Sequence, residues 1–263
     1  MRATHGNLRF VLITSLFLSA PAFGAGWTAL FDGHSFNGWT TQNGEPVKEG
    51  AWEVVDGTIH LNTSDGRGGS LITDRDYGDF ELIFEWKISE RGNNGIKYRV
   101  KDFDGRVLGC EYQIIDDEGN RNLRPTQRTA ALYDIYEPSA DDLLNPVGEF
   151  NRGRIVVCGH RIEHWLNGHL VVAANTGSPE WEERIGNSKF SDVEGFGKNR
   201  CGRIMLTEHN DEVWFRNIYL RSLSSDRQLA RFSTNRARRF TCCRRVRPRV
   251  TLRNVLCRRF RHH

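Results

Sequence analysis

Helical periodicity is nearly absent from this chain of 263 residues. Apolar residues seldom recur at the three-and-four spacing of an amphipathic helix, which argues against a helical fold. Long hydrophobic runs are equally scarce. The single clear one, residues 10–20, is about half the roughly 20 residues that a membrane span needs, so the mature protein is expected to have no span. Gly-x-Ser-x-Gly, Walker and Rossmann patterns are missing as well. Acyl transfer at a nucleophile elbow, nucleotide hydrolysis and nicotinamide chemistry therefore lack support, and no nucleotide or nicotinamide cofactor is expected. The six cysteines split into Cys110, Cys158 and Cys201 in the body and three near the end. They show neither zinc spacing nor Cys-x-x-Cys, so the body holds at most one disulfide.

What is present begins with an address. Arg2, His5 and Arg9 precede the apolar run, which ends among the small residues Ala20-Pro21-Ala22 and Gly24-Ala25. Residues 1–25 thus read as a signal peptide, and the protein as exported, periplasmic or secreted. No cysteine follows that would take a lipid. The formal charge of +4 is misleading: residues 224–263 hold thirteen Arg, no Lys and only Asp226 as an acid, whereas residues 1–223 hold 24 bases and 32 acids. The body is therefore at −8 and the tail at +12. The tail reads either as a polyanion-binding arm or as disordered sequence, and the lack of hydrophobic period favours disorder. No specific nucleic-acid partner is expected.

Residues 26–223 suffice for one sizeable core, so a single domain is expected. Short alternating or apolar runs broken by Gly, Asn and Asp fill it: 52–61, 80–88, 95–100, 110–115, 154–158, 161–166, 169–173, 202–206 and 213–220. Strands at this spacing predict an all-β sandwich of two antiparallel sheets. Asp56-Gly57 divides the run 52–61 into two strand-like halves and Asn167-Gly168 separates 161–166 from 169–173, as type I′ hairpins require. Residues 116–153, with Pro125, Pro138 and Pro146, predict a long loop crossing one face.

Alternation in Cys110-Glu111-Tyr112-Gln113-Ile114-Ile115-Asp116 puts Glu111 and Gln113 on one face and Tyr112 and Ile114 on the other. In Asn93-Asn94-Gly95-Ile96-Lys97-Tyr98-Arg99 it puts Lys97 and Arg99 together. Adjacent strands would bring these cations against Glu111, either as a cross-strand salt bridge or as an oxyanion site beside a general base. His209, in Thr207-Glu208-His209-Asn210, follows a strand end among polar residues; His164 shares a face with Ile162 and Leu166 and reads as part-buried. Glu111, Asp116, His164 and His209 are the candidate ligands for a divalent metal, although they lie on separate strands. Seven Trp and six Tyr suit stacking on sugar rings, while Trp52, Trp86 and Trp214 read as core.

These motifs occur together with Trp27-Thr28-Ala29-Leu30-Phe31-Asp32-Gly33, Gly38-Trp39, Tyr77-Gly78-Asp79-Phe80-Glu81-Leu82, Ala131-Leu132-Tyr133, His164-Trp165-Leu166-Asn167-Gly168 and Asp211-Glu212-Val213-Trp214-Phe215-Arg216-Asn217-Ile218. In this order, over about residues 27–222, the chain resembles the 3-keto-disaccharide hydrolase family, long known as domain of unknown function 1080. The resemblance implies a concanavalin/laminin-G-like jelly roll and cleavage of 3-keto-glycosides by elimination then hydration. Members usually carry Gln-Asp-His-Gly where this chain has Thr207-Glu208-His209-Asn210: the histidine is kept and its setting differs.

A ketone at C3 acidifies the C2 proton, so a base can remove it and the enolate can expel the group at C1. Water then adds back, with no need for a glycosidase carboxylate pair. The chemistry asks for a base, a cation or donor at the enolate oxygen, and an acid for the leaving group. Glu111 and His209 are the candidates for base and acid, in either order, with Asn94, Lys97, Arg99, Gln113, Asp116 and Tyr133 expected to bind a carbohydrate substrate. A divalent metal at the C3 carbonyl is a candidate cofactor. The rival reading is a non-catalytic carbohydrate-binding module of the same shape.

Overall fold

A computed structural model describes residues 26–223 except 48, 49 and 141. The expected signal peptide and Arg-rich tail lie outside the described residues. Within them the strands are β1 (Thr28–Ala29), β2 (Trp39–Thr41), β3 (Trp52–Val55), β4 (Thr58–Leu61), β5 (Leu71–Thr73), β6 (Phe80–Ile88), β7 (Asn93–Phe103), β8 (Arg106–Ile115), β9 (Asn151–Cys158), β10 (Arg161–Leu166), β11 (His169–Asn175), β12 (Arg203–Leu206) and β13 (Val213–Ser222). One helix, α1 (Pro179–Gly186), lies between β11 and β12.

The strands form a jelly-roll sandwich. The larger sheet runs β11-β10-β9-β6-β13-β4-β3, with β1 added along β13; the smaller runs β2-β5-β12-β7-β8. Period-two alternation explains why the sheets pack. In β6, Phe80, Leu82, Phe84, Trp86 and Ile88 are buried between the sheets, so the intervening Glu81, Ile83, Glu85 and Lys87 line its other face. From the smaller sheet, Ile96, Tyr98, Tyr112 and Ile114 meet them. Phe84 and Tyr112 pack edge to face at 5.3 Å. Each such fully buried aromatic contributes roughly 1.5–3 kcal/mol relative to an exposed one. Trp52 and Trp86 are core as expected, but Trp214 is only half-buried. It pairs with Lys87 on the outer face, where it stacks on His60 at 4.4 Å.

Both hairpins carry the predicted turns, with positive φ at Asp56 (48°), Gly57 (71°), Asn167 (47°) and Gly168 (89°). Cys110, Cys158 and Cys201 form no disulfide. The segment between β8 and β9 does not lie across a face. It folds back along the open edge of β8, where Ala130 N donates to Gln113 O at 2.8 Å and Tyr133 N to Glu111 O at 3.1 Å. These bonds satisfy edge groups that would otherwise remain unpaired. Helix α1 escapes detection in the sequence because its eight residues bury only Trp181, too few for a periodic signal. Ser178 Oγ accepts from Trp181 N at 3.1 Å and caps its first turn. Arg184 ties it to the folded-back segment through Ile135 O, at 3.1 Å.

Candidate active site

The site grows from the β7–β8 ladder. Lys97 faces Glu111, Gly95 faces Gln113 and Asn93 faces Ile115, so alternation gathers Glu111, Gln113 and Lys97 on the face away from the core. Lys97 Nζ stands 4.0 Å from Glu111 Oε2, and the Glu111 side chain is only 6% exposed. Gln113 Nε2 donates to Asn93 Oδ1 at 3.0 Å. Gly95 makes room: a Cβ there would lie 2.3 Å from Glu111 Oε1. The carboxylate lies over the one position of β7 that has no side chain to displace it.

Two further groups stand within reach of the Glu111 charge. His209 follows β12 in a turn in which Asn210 adopts φ 65°, a conformation that asparagine tolerates almost as glycine does. Glu208 Oε1 accepts from Asn210 N at 2.6 Å. Glu208 and Asn210, which stand where the resemblance leads one to expect Asp and Gly, thus close the turn around His209. Partial desolvation lowers the His209 pKa below 6.5; the Glu111 charge opposes this and Lys97 adds to it. Lys189, after α1, has its backbone N–H on Asp134 Oδ2 at 2.7 Å and its ammonium 4.1 Å from the Tyr133 ring centre. Desolvation lowers its pKa too, while Glu111 and then Asp134 push it back up. Both side chains keep exposed area, and the protein around them still disfavours their charged forms.

Other expected site residues are placed elsewhere or have other work. Arg99 does not join Lys97. A β-bulge between Tyr98 and Lys101 breaks the alternation, and Arg99 itself sits at φ 49°. Its guanidinium donates to Asp79 Oδ1 at 2.8 Å and to Gly78 O and Gly159 O at 3.2 Å, tying the small sheet to the large one. Asp116 accepts backbone N–H groups from Arg91 (2.7 Å), Gly119 (3.0 Å) and Glu118 (3.2 Å), and so shapes a turn. Asn94 is fully buried. Its Nδ2 donates to Thr207 O at 2.8 Å, so it anchors the loop that carries His209.

His164 lies in the core with both nitrogens engaged. Ala130 O, 3.0 Å from Nδ1, can only accept, so Nδ1 carries the proton and Nε2 accepts from Tyr98 Oη at 2.9 Å. Burial pushes its pKa down to about 4. The four proposed metal ligands therefore do not converge: Asp116 and His164 have their donor atoms committed. Among the described residues no group of three His, Cys, Asp or Glu side chains is placed to hold an ion. Lys189 was missed by sequence reasoning because it belongs to no strand motif. Gly95 had a signal, as a glycine inside a strand often marks a close approach.

Carboxylate, imidazole and ammonium groups beside the β7–β8 ladder of a jelly-roll sandwich are the chemistry the site offers, and the comparisons give the class. The profile of the 3-keto-alpha-glucoside-1,2-lyase-like domain matches residues 26–221. The chain is 32% identical over 238 residues to the 3-keto-disaccharide hydrolase of Bacteroides thetaiotaomicron, covering 78% of this chain and 81% of that one. A crystal structure of a candidate glycosyl hydrolase from Parabacteroides distasonis superposes with a TM-score of 0.67 at 30% identity, covering 76% of this chain and 95% of that one. A second from the same organism gives 0.61 at 26%, covering 75% and 99%. The protein belongs to the 3-keto-alpha-glucoside-1,2-lyase-like family.

Proposed function

We propose that the protein cleaves 3-keto-glycosides, 3-keto-disaccharides among them, by eliminating the group at C1 and then adding water. The observation that carries this reading is a buried Glu111 carboxylate 4.0 Å from the Lys97 ammonium, with its charge felt by the His209 imidazole and the Lys189 ammonium.

Each role follows from the placement. A histidine with its pKa below 6.5 is neutral near pH 7 and free to accept a proton. His209 takes the C2 proton, and the electrons move into the C3 carbonyl to give an enolate. Lys97 and Lys189 face the negative charge that develops there. The enolate collapses to a C1–C2 double bond and expels the C1 oxygen, which takes a proton from the imidazolium just formed. Glu111, close enough to raise the His209 pKa, stabilises that imidazolium, as a carboxylate does beside histidine in other proton-transfer sites. Water then adds to C1, C2 regains a proton, and the product is the free 3-keto sugar. Gln113 and Tyr133 border Glu111 on its own strand and on the folded-back segment, where they would position hydroxyls. No step is routed through a metal, because the expected ligands are not gathered.

The test is cleavage of methyl 3-keto-α-glucoside in deuterated water, followed by NMR. Elimination and hydration place deuterium at C2 of the product during turnover, and the unoxidised glucoside remains intact. Cleavage with retention of the C2 proton, or equal cleavage of the unoxidised sugar, overturns the reading. Export is proposed from residues 1–25, and N-terminal sequencing of the mature protein near residue 26 checks it.

A further inference from the structure

A concavity of about 690 Å³ lies away from Glu111. It opens on the outer face of the larger sheet, lined by Trp27, Glu81, Arg152, Arg154, Trp165 and their neighbours. Period two explains the gathering: Glu81 on β6, Arg152 and Arg154 on β9 and Trp165 on β10 all point away from the core, while Phe80, Leu82, Ile155 and Leu166 fill it.

Charge in this groove is unbalanced. Glu81 is buried, 5% exposed at its side chain, and one carboxylate answers two guanidiniums: Arg154 Nε at 2.7 Å from Oε1 and Arg221 Nε at 2.6 Å from Oε2. Arg152 is exposed and has no ion pair among the described residues. Glu85 stands across the ladder from it but is turned to Arg216, 2.8 Å away. A cationic groove is thus built into a body whose sequence carries −8. The guanidiniums are also held in place: Arg154 lies 4.5 Å from the Trp165 ring centre and Arg221 4.7 Å from that of Trp27.

We propose that this groove binds an acidic oligosaccharide, one bearing uronate carboxylates, independently of the Glu111 cleft. The exposed Arg152 fork can take a carboxylate bidentately, and the held Arg154 and Arg221 keep N–H groups beyond those engaged by Glu81. Indoles beside them offer apolar area to the pyranose rings that carry those carboxylates. The volume falls within the roughly 300–1,000 Å³ typical of small-ligand pockets. A concave, aromatic-sided groove of this size suits a short glycan better than the flat surface of a membrane.

Calorimetric titration of the full chain with trigalacturonate tests this, with cellotriose as the neutral control and Arg152→Gln, Trp165→Ala and Glu111→Gln as variants. Trigalacturonate should bind, cellotriose at least about ten-fold more weakly. Arg152→Gln, at an exposed position, should weaken binding about ten-fold with an unchanged melting temperature, the size expected for one charge-assisted contact. Glu111→Gln should bind as the parent does. Absence of trigalacturonate binding overturns the proposal. So does parental affinity in Arg152→Gln, which would place binding on the thirteen arginines of residues 224–263, and so does loss of binding in Glu111→Gln, which would place it in the cleft. If Trp165→Ala does not fold, Arg152→Gln still decides the matter.

Discussion

Two sets of polar side chains on and around the β7–β8 hairpin look alike in sequence and behave differently in the fold. Asp116, Arg99, His164 and Asn94 have their bonding capacity taken up: Asp116 by three backbone N–H groups, Arg99 by two carbonyls and Asp79, His164 by a carbonyl and a hydroxyl. Glu111, Lys97, Lys189 and His209 surround one another at longer range, with Lys97 and Glu111 4.0 Å apart. The first set is consumed in holding the two sheets and their turns. The second keeps donors and acceptors available to a ligand. Burial does not separate them, since Glu111 is as buried as Arg99; bonding saturation does.

The contrast predicts that changes in the open set move turnover, and changes in the saturated set move stability. The largest effect is expected for His209→Ala, with kcat/KM on a 3-keto-glucoside reduced about 10³-fold, in the range for removing a general base, and little change in melting temperature. Steady-state kinetics beside a thermal melt would show it. Next comes His164, whose folded pKa of about 4 lies below the 6.5 of a free histidine. The unfolded chain therefore binds a proton between these values that the folded chain does not. Stability should fall by about 3 kcal/mol as pH drops from 6.5 to 4, and denaturant titrations of the parent and His164→Phe should diverge over that window.

Lys189→Met removes one of the two ammonium groups facing the enolate and should cost about 10²-fold in kcat, with KM less affected. A loss confined to KM would break the assignment. The smallest effect is expected from Gly95→Ala, which pushes a methyl group toward Glu111 Oε1 at 2.3 Å. The carboxylate must move, and kcat/KM should fall roughly ten- to a hundred-fold through misplacement alone. A crystal structure of that variant with Glu111 unmoved would contradict the cause given.

Much of this contrast was legible beforehand. Alternation placed Glu111 and Gln113 together, the histidine after β12 stood out, and the Asn-Gly and Asp-Gly turns marked their hairpins. What escaped was whatever depends on tertiary partners. No spacing rule reveals that Arg99 sits at a bulge and turns to Asp79, or that Asp116 closes a turn with Arg91, 25 residues before it. His164 reads as part-buried, but its saturation comes from Ala130 and Tyr98, one on the folded-back segment and the other on the opposite sheet. Lys189 is carried within reach of the Glu111 charge by a helix too short to show a period. Trp214 looked like core because strand-formers flank it, yet its alternation partner on β13 is Arg216 on the outer face, not Phe215 in the core.

The most direct test is the pH dependence of kcat/KM on methyl 3-keto-α-glucoside for the parent, Glu111→Gln and His209→Ala. In the parent, activity should be lost as pH falls through a midpoint below 6.5, where His209 becomes protonated. Since Glu111 raises that pKa, Glu111→Gln should move the midpoint lower still, and in His209→Ala the acid limb should vanish from the residual rate. An unchanged limb and near-parental rate in His209→Ala would contradict the account.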